Sequence, residues 1–145
     1  MSRPKTIGFA IVARIEEIPE LAGKVIFFRR ADIESEFLKR MNKTAGKAVL
    51  VRLVGAPNLT PDKQTARYGG SYTVELFTAP TLTAKDAKDA DELMQLIADK
   101  LHGWWPSEVP SNGLMRCSCG TITFPDDPQF DVAVLPVEAP ATSKK

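Results

Sequence analysis

Residues 83–106 read TAKDAKDADELMQLIADKLHGWWP, and the spacing of the apolar positions in this stretch decides the architecture. Ala90, Leu93, Met94, Ile97 and Leu101 recur at three- and four-residue steps, which places them on one stripe of an amphipathic helix. Lys88, Asp89, Asp91, Glu92, Gln95, Asp99 and Lys100 fall between them and require water. Thr83 followed by Asp86 has the form of a capping box, in which side chains satisfy the orphan amide donors of the first turn. Acids crowd the start, and Lys100 and His102 lie near the end, the order that the helix dipole favours. Gly103 and Pro106 stop the helix. One such helix cannot bury its stripe alone, so the flanking segments must supply a sheet for it to lie on.

Thr6 to Glu17 predicts a first helix with Pro4 at its entrance. Ile7, Ile11, Ile15 and Ile18 make its stripe, widened by Phe9, Ala10 and Val12, and Pro19 and Gly23 break it. Lys24 to Phe28, KVIFF, reads as a short, largely buried strand, or else as an extended segment that packs without pairing. Ala31 to Thr44 returns to helical character, with Asp32 as cap, Ile33, Phe37 and Met41 on one face, and Gly46 as stop. Ala48 to Val54, AVLVRLV, has the β-branched run of a central strand.

Gly55 to Arg67, GAPNLTPDKQTAR, is too polar for core and too long for a tight turn. Tyr68 to Thr78 then alternates, Tyr72, Val74, Leu76 and Thr78 facing one way and Ser71, Thr73, Glu75 and Phe77 the other. These pieces predict a hairpin whose connecting loop projects beyond the sheet, either as a functional element or as a floppy surface loop. Leu114 to Phe124 and Phe130 to Val137 are two further strands joined by Pro125–Gln129. Pro136 marks the last strand as ending there or running along an edge. The expected fold is α+β, one domain over residues 1–138. It has a mixed or antiparallel sheet of about four to five strands on the amphipathic helix, with two further helices. Residues 139–145 have the composition of a flexible tail.

With 145 residues the chain can bury a core as a single domain. A net charge of +1 lacks the broad basic footprint of a dedicated nucleic-acid binder. No apolar run is long enough to span a bilayer. The opening stretch has acids directly after its apolar residues and no small-residue cleavage site, so no signal peptide is expected. Two cysteines suit a reducing compartment, and a soluble protein made inside the cell is the expectation.

Catalysis needs convergent groups, and few are visible. His102, the single histidine, has no motif that supplies a nucleophile and an orienting carboxylate, and its place suits a polar group near free helix carbonyls. Cys117 and Cys119 share one face of a strand, within reach of one metal in principle, but a closed zinc site wants four ligands. Two small buried thiols are the simpler reading. Lys39, Arg40, Lys43 and Lys47 cluster around NKTAGK, yet Met41 and Ala48 stand where a phosphate loop requires glycine and Ser or Thr. Gly69-Gly70 permits close backbone approach or a bulge. Trp104 and Trp105 are candidates for an interface and equally for plugging the core at a helix end.

The order of parts resembles the tail terminator proteins of long-tailed bacteriophages and related tail-completion proteins. The parts are IVARIEEIPELAGKVIFF, the strands AVLVRLV and SYTVELFT joined by a projecting loop, the helix ADELMQLIADKLHGWW, and the final pair LMRCSCGTITFPDDPQFDVAVLPV. The likeness spans nearly the whole chain and is one of order, length and texture. It implies an α+β virion subunit, assembled in the host cytoplasm, that forms a ring, usually a hexamer, at the head-proximal end of the tail tube. Binding there ends tube polymerisation and presents a docking surface for the head-neck connector or stopper. It implies no catalysis, cofactor, metal, membrane or sequence-specific nucleic acid. On that reading Asn58, Leu59, Asp62, Lys63, Gln64 and Arg67 contact a neighbouring subunit or the tube. The competing expectations are another neck or head-completion subunit, a small-ligand-binding regulatory domain, and, last, an enzyme using His102, Cys117 or Cys119.

Overall fold

A computed structural model describes residues 3–28, 46–64, 68–78, 90–107, 109, 116–126 and 131–139. Helix α1 spans Arg3–Ile15, a 3-10 turn follows at Pro19–Leu21, and strands β1 (Val25–Phe28), β2 (Lys47–Gly55) and β3 (Gly70–Thr78) come next. Helix α2 (Ala90–Leu101) precedes β4 (Ser118–Cys119) and β5 (Asp131–Ala139). The five strands form one mixed sheet in the order β1-β2-β3-β5-β4, parallel between β1 and β2 and antiparallel elsewhere. The chain is thus an α+β domain.

The stripe that predicts α2 is its buried face: Leu93, Met94, Ile97 and Leu101 are fully buried. Ile7, Ile11 and Ile15 of α1 are equally buried, and both helices cover Val49, Val51, Tyr72, Val74, Leu76, Ala133, Leu135 and Val137, none more than 1% exposed. Each side chain fully withdrawn from water contributes about 1.5–3 kcal/mol, which makes this layer the main source of stability. The expected alternation of β3 holds, with Tyr72, Val74 and Leu76 inward. On β2, Ala48 and Leu50 point to the opposite face and are buried as well, so its first half is enclosed on both sides.

Several expectations are corrected. Helix α1 begins three residues before Thr6 and ends at Ile15, and Phe9, expected to widen its stripe, is 44% exposed and meets Phe27 edge-on. Segment β1 does pair, along Val49–Arg52, with Val25 buried and Ile26 and Phe27 half-buried. Of the expected strand Leu114–Phe124, positions 114–115 lie outside the described residues, and 116–124 hold Ser118–Cys119 plus an isolated bridge from Thr123 to Val134. The reason is a bulge. Cys119 lies opposite Val137 and Thr123 opposite Val134, and Gly120 donates to the Pro136 carbonyl at 2.8 Å, so Thr121 and Ile122 together face Leu135. Pro136 neither ends β5 nor sits on an edge strand. It pairs with Thr73 in mid-strand, and its missing N–H falls on the side of this bulge, where no ladder donor is required. Strand β5 runs on to Ala139, which is buried opposite Gly70, so the domain reaches at least that residue.

The expected helix from Ala31 to Thr44, with Lys39, Arg40 and Lys43, and the cap at Thr83 and Asp86 lie outside the described residues. So do Arg67 and residues 140–145.

Candidate functional site

Three features carry the residues singled out from the sequence: the β2–β3 connection, the turn that follows α2, and β4.

The connection is a structured arm. The β2–β3 register shifts between Leu53 and Gly55, Gly55 lies opposite Ser71, and beyond it Asn58 bridges Tyr68 while the Gly69 N–H donates to the Pro57 carbonyl at 2.9 Å. The Asn58 side-chain oxygen accepts from the Thr60 N–H at 3.0 Å, folding the chain back on itself. Lys63 N–H then closes a turn on the Thr60 carbonyl at 3.1 Å, with Pro61 pre-set at its first central position. Asn58, Asp62, Lys63 and Gln64 are exposed at this tip and Leu59 is half-buried. Five of the six loop residues proposed as contacts therefore stand together on the described part of this arm, which carries its own hydrogen bonds.

Trp104 and Trp105 pack against the core from its margin, both half-buried. The Trp105 indole N–H donates to the Val109 carbonyl at 3.1 Å. Trp104 is covered by the Arg14 guanidinium, 5.4 Å from the ring centroid. Arg14 Nε also donates to the Lys100 carbonyl at 3.0 Å, placing a cation on the free carbonyls at the end of α2. Glu17 joins Arg14 and Lys100 at 3.2 Å each, tying the two helix ends together. Arg14 is the residue that sequence reasoning missed. One arginine beyond an apolar stripe carries no signal for a partner 86 residues away.

The turn after α2 lies along the outer edge of β4. Gly103, at φ +77°, reverses the chain after the helix. Its N–H donates to the Cys117 carbonyl, and the Cys117 N–H donates to the Trp104 carbonyl, each at 2.8 Å. His102, exposed, accepts the Cys119 N–H on Nδ1 at 3.1 Å. The edge of a two-residue strand is thereby covered. Cys117 is buried, Cys119 half-buried, and they are not bridged. Burial pushes the Cys117 thiol up to about 12, with Cys119 adding to it, and pushes the Cys119 thiol up to about 11. Both thiols stay protonated near neutrality in this setting. Among the described residues no group of three or more His, Cys, Asp or Glu is placed to hold a metal, and no helix is long and apolar enough to cross a membrane.

Of the Gly69-Gly70 pair, Gly70 has a packing role. Tyr72 folds back so that its ring and hydroxyl occupy the space where a Gly70 side chain would begin, and the hydroxyl donates to the Pro4 carbonyl at the start of α1. In register, Gly55, Ser71, Glu138 and Ser118 form one row across the sheet. The arm continues past this row at β2 and β3, and Trp104 flanks it at Cys117, so both groups lie at the same end of the sheet, the arm beyond β2 and β3 and Trp104 beside β4.

The chain matches no protein-family model, and no curated protein matches it significantly in sequence.

Proposed function

We propose that this chain is a structural assembly subunit of a phage tail. It forms a ring at the head-proximal end of the tail tube, stops tube growth and offers a docking surface to the head-neck connector or stopper. The observation that carries this reading is the arm between β2 and β3. It extends beyond a sheet whose core is closed by α1 and α2, it is held by its own backbone and Asn58 hydrogen bonds, and it presents Asp62, Lys63 and Gln64 of mixed charge to solvent. A preformed polar arm loses little conformational entropy on docking, which suits a subunit that must recognise a neighbour or a tube. A closed ring also requires two different surfaces on each subunit. The arm beyond β2 and β3 and the turn that carries Trp104 beside β4 are two such surfaces at one end of the sheet.

The test is to shorten the arm to a tight turn between Gly55 and Gly69. The shortened protein is expected to keep its circular dichroism and unfolding midpoint, because none of the described tip residues belongs to the core, and to lose attachment to tail tubes. Normal tail completion by the shortened protein would refute the assignment of the arm.

A further inference from the structure

Among the described residues four large apolar side chains are exposed: Phe9, Val54, Tyr68 and Phe124. Val54 and Tyr68 stand at the root of the arm. Phe9 and Phe124 stand at the two opposite side edges of the sheet. Phe9 meets the half-buried Phe27 with ring centroids 4.8 Å apart, and Phe27 belongs to β1, the terminal strand on one side. Phe124 follows Thr123, which bridges β5 on the side away from β3, and exposed Pro125 comes next.

The register sets these edges at matching heights. Phe27 shares a row with Val51, Val74 and Leu135, and Val25 shares the second row along with Val49, Leu76 and Ala133. Thr123 lies opposite Val134, between the two rows, and Phe124 is one step further toward Asp131. Charge follows the same order. Exposed Asp126 and Asp131 lie toward the row of Lys47, Thr78 and Asp131, and Lys24 begins the β1 edge at that end. The acids near Lys24 in the chain, Glu16 and Glu20, are half-buried, and Glu16 accepts the Gly23 N–H at 2.9 Å.

We propose that the Phe9–Phe27 edge of one copy docks on the Phe124 edge of a second copy, head to tail, with Lys24 facing Asp126. Aromatic surfaces left in water on both edges are buried together, and the opposite charges fix height and direction. Pairing either edge with its own copy forgoes that charge match. A contact between two different surfaces repeats from copy to copy, closing as a ring or running on as a filament according to the rotation per copy. The inference rests on the ring reading for closure alone, and it adds the side edges to the surfaces at the arm end.

The experiment uses Phe9→Cys and Phe124→Cys, made singly in the full chain at exposed positions outside the core. The two are mixed, with and without tail tubes, and treated with a short bismaleimide; the unsubstituted protein controls for Cys117 and Cys119. The mixture is expected to give a crosslinked dimer of one chain of each kind, and each variant alone no dimer above the control. Adding Asp126→Lys to the Phe124→Cys chain should lower that yield by about two- to fivefold, the worth of an exposed ion pair. Adding Lys24→Asp to the Phe9→Cys chain should then restore it. Dimers from either variant alone, no mixed dimer in either setting, or no restoration would overturn the contact. The doubly substituted chain separates this from the ring reading. A crosslinked ladder that stops at a closed species supports both, and an endless ladder keeps the contact and refutes the ring. Rings that form without crosslinks keep the ring and refute the contact.

Discussion

A Cβ added at Gly70 would fall within the ring of Tyr72, which is pinned by its bond to the Pro4 carbonyl and cannot swing away without opening the α1–sheet contact. Gly70→Ala is therefore expected to cost about 1–3 kcal/mol, the usual range for overpacking, read as a lower urea midpoint. An unchanged midpoint would mean that the ring has room to move. Cys117 gives a pH-dependent prediction. Its thiol is raised from 9.0 to about 12, so the fold favours the protonated form. The stability this supplies is full below about pH 9 and is lost as pH climbs toward 12. Cys117→Ala should flatten the alkaline loss of stability relative to the unsubstituted protein, and parallel curves would show that the thiol is not its source. At this scale the sequence was partly legible. Cys117 is buried as its type and setting predict, Cys119 is only half-buried, and the donor to His102 lies 17 positions away and leaves no local trace.

Helix α2 was the most legible element because its apolar positions repeat through several turns and its stop residues follow at once. All four of Leu93, Met94, Ile97 and Leu101 are fully buried. Ile97→Ala should cost about 2–5 kcal/mol in urea unfolding, whereas Lys63→Ala on the exposed arm tip should stay within about 0.5 kcal/mol. Comparable losses at both positions would mean that the arm belongs to the folded core. Strand β4 was legible only in part. Between Gly120 and Thr123 the extra residue breaks the ladder against β5, and a period-two pattern does not reveal where a bulge intervenes. Pro136 misled for the same reason. Proline in a strand interior is normally excluded by its missing donor, and here the bulge on the neighbouring strand removes the need for one.

For the whole molecule, the sequence supports an α+β layer but not the neighbours within it. That β5 lies between β3 and β4, and that β1 joins β2 in parallel, depends on contacts between distant segments that no local pattern encodes. The lock of Arg14, Glu17 and Lys100 at the helix ends was invisible for the same reason. The arm was legible as a projecting loop, and its hydrogen-bonded form was not, since the Asn58–Tyr68 bridge joins residues on either side of its tip. Ring formation is the property that separates a tail terminator from a monomeric binding domain, and it need not appear without the tube, because docking adds contacts that favour the assembled state. The decisive measurement is electron microscopy of cognate tail tubes polymerising with and without the purified protein. A terminator gives tubes of arrested length with a closed ring at one end. Tubes that keep growing with bare ends in the presence of excess protein would contradict the assignment.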